Sequence, residues 1–312
     1  MSPPRRFDDV TCILRECGER TADASAALIE NLLGETVHRV SARPFSEALR
    51  QSMELGVALD RPWTLFIDAD VLILPALTDF IEQARRLPIA TFEMQALVID
   101  KLLPSRRPAG NHLYRTALLN RALPLIPANR SLRPENDVIL AMARLGHCYH
   151  QSPLVVGVHD FEQTYSDVYK KAFLHGHKHD YLIPLFRPIW ESASPRDDDF
   201  RVALAALDSS SRNSAPPDIS RDFMDSESLA AIDNLDLRPK PLLAPLDIST
   251  VVELAGSRSA LLDEVQPLAD QIQRGIDAVL FPSPRASAGW LDSRTSFIRR
   301  AKTRLASIFG QQ

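Results

Sequence analysis

The sequence predicts an α/β fold built on a mainly parallel sheet, followed by a mostly helical extension. Three observations carry this. Short apolar runs alternate with helix-period segments through the first part of the chain; the apolar run Trp63-Thr64-Leu65-Phe66-Ile67 ends on Asp68-Ala69-Asp70; and the composition shifts near residue 190 to Asp-, Ser- and Pro-rich stretches.

Val10 to Leu14 reads as a first strand, and Ala22 to Leu33 as a helix with small and apolar residues on one face, stopped by Gly34. Val37 to Ser41 gives a second strand. Phe45 to Leu59 has helical spacing through Leu49, Met53 and Val57, and Trp63 to Ile67 is the next strand. This β-α-β-α-β alternation predicts parallel pairing with right-handed crossovers. Beyond the aspartates, Pro75 to Arg86 reads as helix, Ile89 to Phe92 as strand and Gly110 to Asn120 as helix. Pro134 suits a first helical position, and its helix runs to Leu145 and stops at Gly146. Leu154 to Val158 is a further strand leading into His159-Asp160, and Tyr165 to Tyr181 a further helix. Asp197-Asp198-Asp199, Ser209-Ser210-Ser211 and Pro216-Pro217 mark a polar connector, with helical stretches beyond it, clearest at Ser259 to Leu280. The expected division is a first domain over residues 1–190, a polar linker over 191–222 and a helical extension over 223–312.

With 312 residues, 45% hydrophobic and 24% charged, the chain has ample core for this plan. A net charge of −4 gives no bulk attraction for nucleic acid, which is excluded as an expected partner. Cys12, Cys17 and Cys148 lack the spacing of a zinc site or a disulfide framework and suit a reducing compartment. Met1 to Asp9 is polar, and no apolar run nears the length of a membrane span. The expectation is a cytoplasmic protein.

A strand that delivers Asp-x-Asp at its tip presents carboxylates to a divalent metal and a phosphate in the crevice beyond the strand ends. Asp68 and Asp70 are therefore candidate metal ligands for a nucleotide-diphosphate enzyme. Two further groups join them in order along the chain. Pro134-Glu135-Asn136-Asp137 opens a helix, where acidic residues also complement the macrodipole. His159 follows Val155-Val156-Gly157-Val158, and a neutral imidazole can complete a metal site begun by carboxylates.

Taken together these pieces resemble a family 2 glycosyltransferase of the A-type fold, a mixed, mainly parallel sheet flanked by helices. The resemblance runs from Thr11 to about Pro188. It includes Leu14-Arg15-Glu16-Cys17-Gly18-Glu19-Arg20-Thr21 after the first strand, Phe45-Ser46-Glu47-Ala48-Leu49-Arg50 ahead of the Asp68-Ala69-Asp70 strand, Gly110-Asn111-His112-Leu113-Tyr114-Arg115, Glu135 to Gly146, and His159. It implies transfer of a sugar from a nucleotide-diphosphate donor to an acceptor hydroxyl. Asp70, with Asp68, would hold Mg²⁺ or Mn²⁺ against the donor diphosphate, and His159 would add a ligand or a phosphate contact. Glu135 or Asp137 would be the general base of an inverting displacement, Glu135 matching the family spacing from Gly146 better. Arg15, Glu19 and Arg20 fall where the resemblance puts the nucleoside.

In Tyr169-Lys170-Lys171-Ala172-Phe173-Leu174-His175-Gly176-His177-Lys178-His179, Lys171 and Lys178 are candidates for a phosphate- or acceptor-facing basic segment. His175 and His179, four apart, offer a zinc alternative. The tail Ser296 to Phe309 gathers Phe297, Ile298, Leu305, Ile308 and Phe309 toward one helical face, with Arg and Lys largely elsewhere. It suits either docking on its own domain or peripheral contact with the inner face of a membrane, where a lipid-linked acceptor would be met. Two other functions compete: a haloacid-dehalogenase-type phosphatase or phosphotransferase with Asp68 as nucleophile, and a catalytically silent sugar-nucleotide-binding scaffold.

Overall fold

The computed structural model of the protein describes residues 7–103, 105–128, 134–178, 183–212 and 221–259. These fall into two units, Met1–Asp167 with Arg238–Ser259, and Val168–Leu237. The first is a mixed α/β layer structure and the second is helical.

In the first unit β1 (Val10–Arg15), β2 (Val37–Val40) and β3 (Trp63–Asp68) alternate with α1 (Ala22–Leu33) and α2 (Phe45–Leu59), and β1 pairs in parallel with both β2 and β3. Every residue of β1 is buried, as a strand covered on both faces by helices requires. β4 (Val71–Ile73) and α3 (Ala76–Ala84) follow, then β5 (Thr91–Asp100), β6 (Arg106–Pro108) and β7 (Asn111–Arg115). A short helical turn, α4 (Leu119–Ala122), and α5 (Pro134–Arg144) precede β8 (Cys148–His159). The sheet order is β2-β1-β3-β7-β5-β8-β4, with β6 paired to β5.

The segment from Gly110, expected as helix, is instead the strand β7, antiparallel to both β3 and β5. Its buried run Asn111, His112, Leu113, Tyr114 fills the centre of the sheet, so tertiary pairing overrides the helical reading. β5 and β8 likewise run longer than expected because they pair with each other along most of their length.

α1 packs on one face of the sheet, and α2, α4 and α5 on the other. That second face carries a core of Ile13, Leu49, Met53, Phe66, Phe92, Tyr114, Val138 and Met142. α5 ends where Gly146 turns into the left-handed region at φ 83°.

The second unit holds most of α6 (Tyr165–Lys178), with α7 (Ile183–Ala193), α8 (Asp198–Arg212) and α9 (Arg221–Asn234). α8 lies inside the stretch expected to be a linker. Phe200, Ala203, Ala206, Leu207 and Ser210 are buried at helical spacing, and this apolar stripe is masked in the sequence by the Asp and Ser runs at its ends. The helix expected beyond Ser259, His179 of the proposed zinc pair, and the tail Ser296 to Phe309 lie outside the described residues. A last helix over 248–259 belongs to the first unit. Among the described residues no helix is long and apolar enough to cross a membrane.

Candidate functional site

The register of the sheet brings chemistry together at the carboxyl ends of β1 and β3. Arg15 and Asp68 are direct partners in the parallel β1–β3 ladder, so their side chains leave the sheet side by side. Arg15 Nε donates to Asp68 Oδ1 at 2.8 Å and Nη2 lies 2.6 Å from the same oxygen. Its third nitrogen, Nη1, donates to Glu135 Oε1 at the start of α5. Arg15 is 3% exposed, and its guanidinium has the rings of Phe45 and Phe66 at 5.0 and 5.5 Å. Burial pushes the Asp68 carboxyl above its usual range, and Arg15 opposes that while Asp70 and Glu135 reinforce it.

Asp68 is followed by a tight approach. Its N–H donates to Gly110 O at 2.9 Å. Gly110 has φ +59°, and a Cβ there would lie 2.5 Å from Val71 Cγ2, so the position admits only glycine without displacement. Thr21 and Ser25 of the α1 start pin the same loop, donating to Ala69 O at 2.6 Å and Val71 O at 2.8 Å.

Glu135 also meets His112, whose Nε2 lies 3.2 Å from Oε1; His112 Nδ1 lies 2.7 Å from Glu93 Oε1. Carboxylates at both ring nitrogens need both to donate, which is the imidazolium form. Burial alone would lower the His112 pKa, but Glu135 and then Glu93 outweigh it and bring it to about 10. For Glu135, burial would raise the carboxyl pKa, and Arg15 and His112 instead hold it well below the usual range. Burial pushes Glu93 up against the pull of His112. Arg15, Asp68, Glu135, His112 and Glu93 thus form one buried ion network under α5.

A second cluster lies one strand tip away. In the antiparallel β4–β8 ladder Val71 is opposite His159, and Asp160 N donates to Asp70 O at 3.1 Å just beyond it. Ligand atoms of Asp70, His159 and Asp160 all lie within 4.8 Å of one another, and all three residues are buried. His159 Nε2 is 3.5 Å from Asp70 Oδ1, while Nδ1 is 2.9 Å from Asp100 Oδ2 and 3.1 Å from Asp160 Oδ2. Asp160 has φ +66°, a left-handed conformation that Asp tolerates better than most residues. Burial would lower the His159 pKa, yet Asp160, Asp70 and Asp100 raise it to about 10. Two carboxylates and an imidazole are a donor set that could hold Mn²⁺ or Mg²⁺, the imidazole ligating in its neutral form.

Of the metal ligands expected from sequence, the structure gathers Asp70 and His159, adds Asp160, and leaves Asp68 turned to Arg15. Arg15 itself, expected at the nucleoside, is sealed in the ion network. Glu19 closes a local turn, accepting from Cys17 N at 2.6 Å and from Cys17 Sγ at 3.1 Å. Arg20 donates to Pro241 O at 2.8 Å. Asp137 sits half-buried two residues past Glu135 on α5. Lys171 and Lys178 fall on α6 in the second unit. Sequence reading missed Glu93, Asp100 and Asp160, and did not anticipate the ionic role of His112. The signal was available for Glu93 and Asp100, the two charged residues of a mostly apolar strand, because buried charges are rarely left unpaired.

No protein-family model matches the chain, and no curated protein matches it in sequence. Solved structures do. A glycosyltransferase involved in the glycosylation of the major capsid of PBCV-1 is 13% identical, with 49% of this chain and 93% of that one covered and a TM-score of 0.36. A mannosyltransferase from Pyrobaculum calidifontis, in complex with GDP-Man and Mn²⁺, is 13% identical over 97% of this chain and 88% of that one, with a TM-score of 0.39. A CMP:2-keto-3-deoxy-manno-octonic acid synthetase complexed with CTP is 11% identical over 47% of this chain and 90% of that one, with a TM-score of 0.31. All three are similar to this chain only at low identity and low TM-score.

Proposed function

We propose that the protein is a metal-dependent glycosyltransferase that moves a sugar from a nucleotide-diphosphate donor to an acceptor hydroxyl of a glycan or lipid-linked molecule, with inversion at the anomeric carbon. The observation that carries the reading is the convergence of Asp70, His159 and Asp160 just past the tips of β3 and β8, beside an ion network that ends on Glu135. The crevice beyond the strand ends is where an open α/β sheet takes its ligand.

Asp70, His159 and Asp160 would hold the Mg²⁺ or Mn²⁺, whose chemistry is to neutralise charge on the departing diphosphate. Arg15 holds Asp68 and Glu135 at fixed positions around that crevice. Glu135 or Asp137 takes the proton of the attacking hydroxyl, both standing on the first turn of α5. No distance favours the phosphotransfer alternative, since Asp68 Oδ1 is taken by Arg15 and stands outside the Asp70–His159–Asp160 group.

Thermal stabilisation by UDP-, GDP- and dTDP-sugars, with and without Mn²⁺, tests the reading on the parent and on Asp70→Ala. A Mn²⁺-dependent shift with one donor base, lost in Asp70→Ala, is expected and would name that base. A folded protein that no donor shifts would refute the reading. Between the two bases, the substitution (Glu135→Gln or Asp137→Asn) that abolishes transfer in a folded protein still stabilised by donor and Mn²⁺ identifies the proton acceptor. Retention of anomeric configuration in the product, read by NMR, would sink the inverting displacement.

A further inference from the structure

Asp100 is a buried carboxylate that the proposed reaction does not use. It ends β5, where the parallel ladder makes it the direct partner of His159 on β8. Its side chain is fully buried, and every described contact it makes is to a donor. Oδ1 accepts from Leu103 N at 2.7 Å; Oδ2 accepts from Arg107 Nε at 2.8 Å and has Arg107 Nη2 at 2.6 Å, with His159 Nδ1 at 2.9 Å.

We infer that Asp100 is the positioning residue of the metal site: by accepting from His159 Nδ1 it fixes the ring so that Nε2 is the nitrogen presented to Asp70, and Arg107 fixes Asp100 in turn. The inference rests on the metal reading of that group. A ligating histidine offers its lone pair from one nitrogen only, and the hydrogen bond at the other decides which nitrogen that is and how the ring is aimed. Two geometric facts make Asp100 the group that decides here. The strand register sets Cα of residue 100 opposite Cα of residue 159, so the pair is built into the sheet rather than into a loop. The carboxylate is also anchored by a backbone N–H and a guanidinium independently of the histidine, so it can dictate the ring's orientation instead of following it. Asp160 Oδ2 also lies near Nδ1, at 3.1 Å, but Asp100 Oδ2 is the nearer of the two carboxylates, at 2.9 Å in a hydrogen bond. Asp100 then carries the Nδ1 bond.

The test uses Mn²⁺ alone with the full chain and reads two quantities, the dissociation constant and the electron spin-echo modulation from a directly bound imidazole ¹⁴N. The parent is expected to bind Mn²⁺ and to show the modulation, which His159→Ala removes. Asp100→Ala is expected to weaken Mn²⁺ binding by about 10- to 100-fold and to lose or alter the modulation. Arg107→Ala, which disturbs the same hairpin but leaves Asp100 against His159, is expected to lose less affinity and to keep the modulation. If Asp100→Ala does not fold, Asp100→Asn, which keeps the shape and drops the charge, carries the same comparison with a severalfold loss. Parental affinity and modulation in the Asp100 variant would overturn this inference alone. Equal affinity losses in the Asp100 and Arg107 variants, with the modulation kept in both, would do the same, by reducing Asp100 to a hairpin anchor. A parent that binds no Mn²⁺, or binds it without the ¹⁴N signal, would overturn the metal reading and this inference with it.

Discussion

Replacing Arg15 with methionine cuts the ion network at its centre. Arg15 is 3% exposed, and its guanidinium bonds Asp68 and Glu135 together. Methionine fills much of the space between Phe45 and Phe66 but leaves the two carboxylates facing each other where water scarcely reaches. Removing one member of a buried ion pair destabilises by about 3–5 kcal/mol, because the partner's charge stays behind. The Asp68 side chain is 25% exposed and can recover some solvation, which places the expected loss near the lower bound, about 3 kcal/mol. For a folding unit of about 150–250 residues each kcal/mol moves the melting temperature by about 2–4 °C, so Arg15→Met should melt about 6–12 °C lower. The double variant Arg15→Met, Glu135→Gln removes one of the stranded charges and should regain about half of the loss, giving a coupling of at least about 1.5 kcal/mol in the double-mutant cycle, to which any loss in Glu135→Gln alone adds. Calorimetry at neutral pH measures all four proteins. A single variant within about 1 kcal/mol of the parent, or a double variant that is simply additive, would refute the reasoning.

Two further outcomes follow from the same geometry. The His112 pKa is raised from 6.5 to about 10, so the stability it contributes is complete below 6.5 and is lost as the pH rises through 10. The depressed carboxyl of Glu135 contributes above its ordinary 4.5 and loses on acidification. The unfolding free energy of the parent minus that of His112→Gln, from urea titrations, should therefore peak between these limits and shrink by about 2 kcal/mol or more toward pH 10; a difference that stays flat from weakly acidic to strongly basic pH would mean that His112 is neutral in the folded protein. Asp160 holds φ +66°, which suits glycine, so Asp160→Gly should fold within about 1 kcal/mol of the parent yet lose the melting shift that Mn²⁺ gives it; a full Mn²⁺ shift in that variant would remove Asp160 from the ligand group.

The β-α-β-α-β opening was legible because apolar period and helix period alternate cleanly there, and α1 and α2 have the bounds that Gly34 and the Leu49, Met53, Val57 spacing predict. The aspartate pair was legible as a strand tip, but the divergence of its members was not. Asp68 ends β3 and leaves the sheet beside its ladder partner Arg15, whereas Asp70 lies two residues on, next to β4 and hence β8. That split depends on β4 pairing antiparallel with a strand more than eighty residues later, which no local pattern contains. β7 was misread for a related reason: Asn111 to Arg115 has no strong alternation, and what makes it a strand is the pair of neighbours, β3 and β5, that claim its backbone on both sides. Glu93 and His112 belong to the ion network only through those same pairings, and Asp100 meets His159 only through the β5–β8 ladder.

The choice between Glu135 and Asp137 then turns on Arg15 rather than on spacing. Counting back from Gly146 favours Glu135, yet a general base works best with a proton affinity near the working pH, and Arg15 and His112 hold Glu135 far below it. Both of those bonds fall on Oε1, so Oε2 is the oxygen with which Glu135 would meet a hydroxyl. For that oxygen to accept a proton, the carboxylate has to shed one of its two cations. His112 is tethered from its other nitrogen by Glu93, so the partner whose release would restore basicity is Arg15, the residue that also binds Asp68. A Glu135 base therefore requires the Arg15 bonds to rearrange when donor and acceptor are present, and transfer through Glu135 would be coupled to whatever draws the guanidinium away. An Asp137 base requires no such rearrangement of Arg15, and Glu135 then serves to hold the first turn of α5 against the sheet.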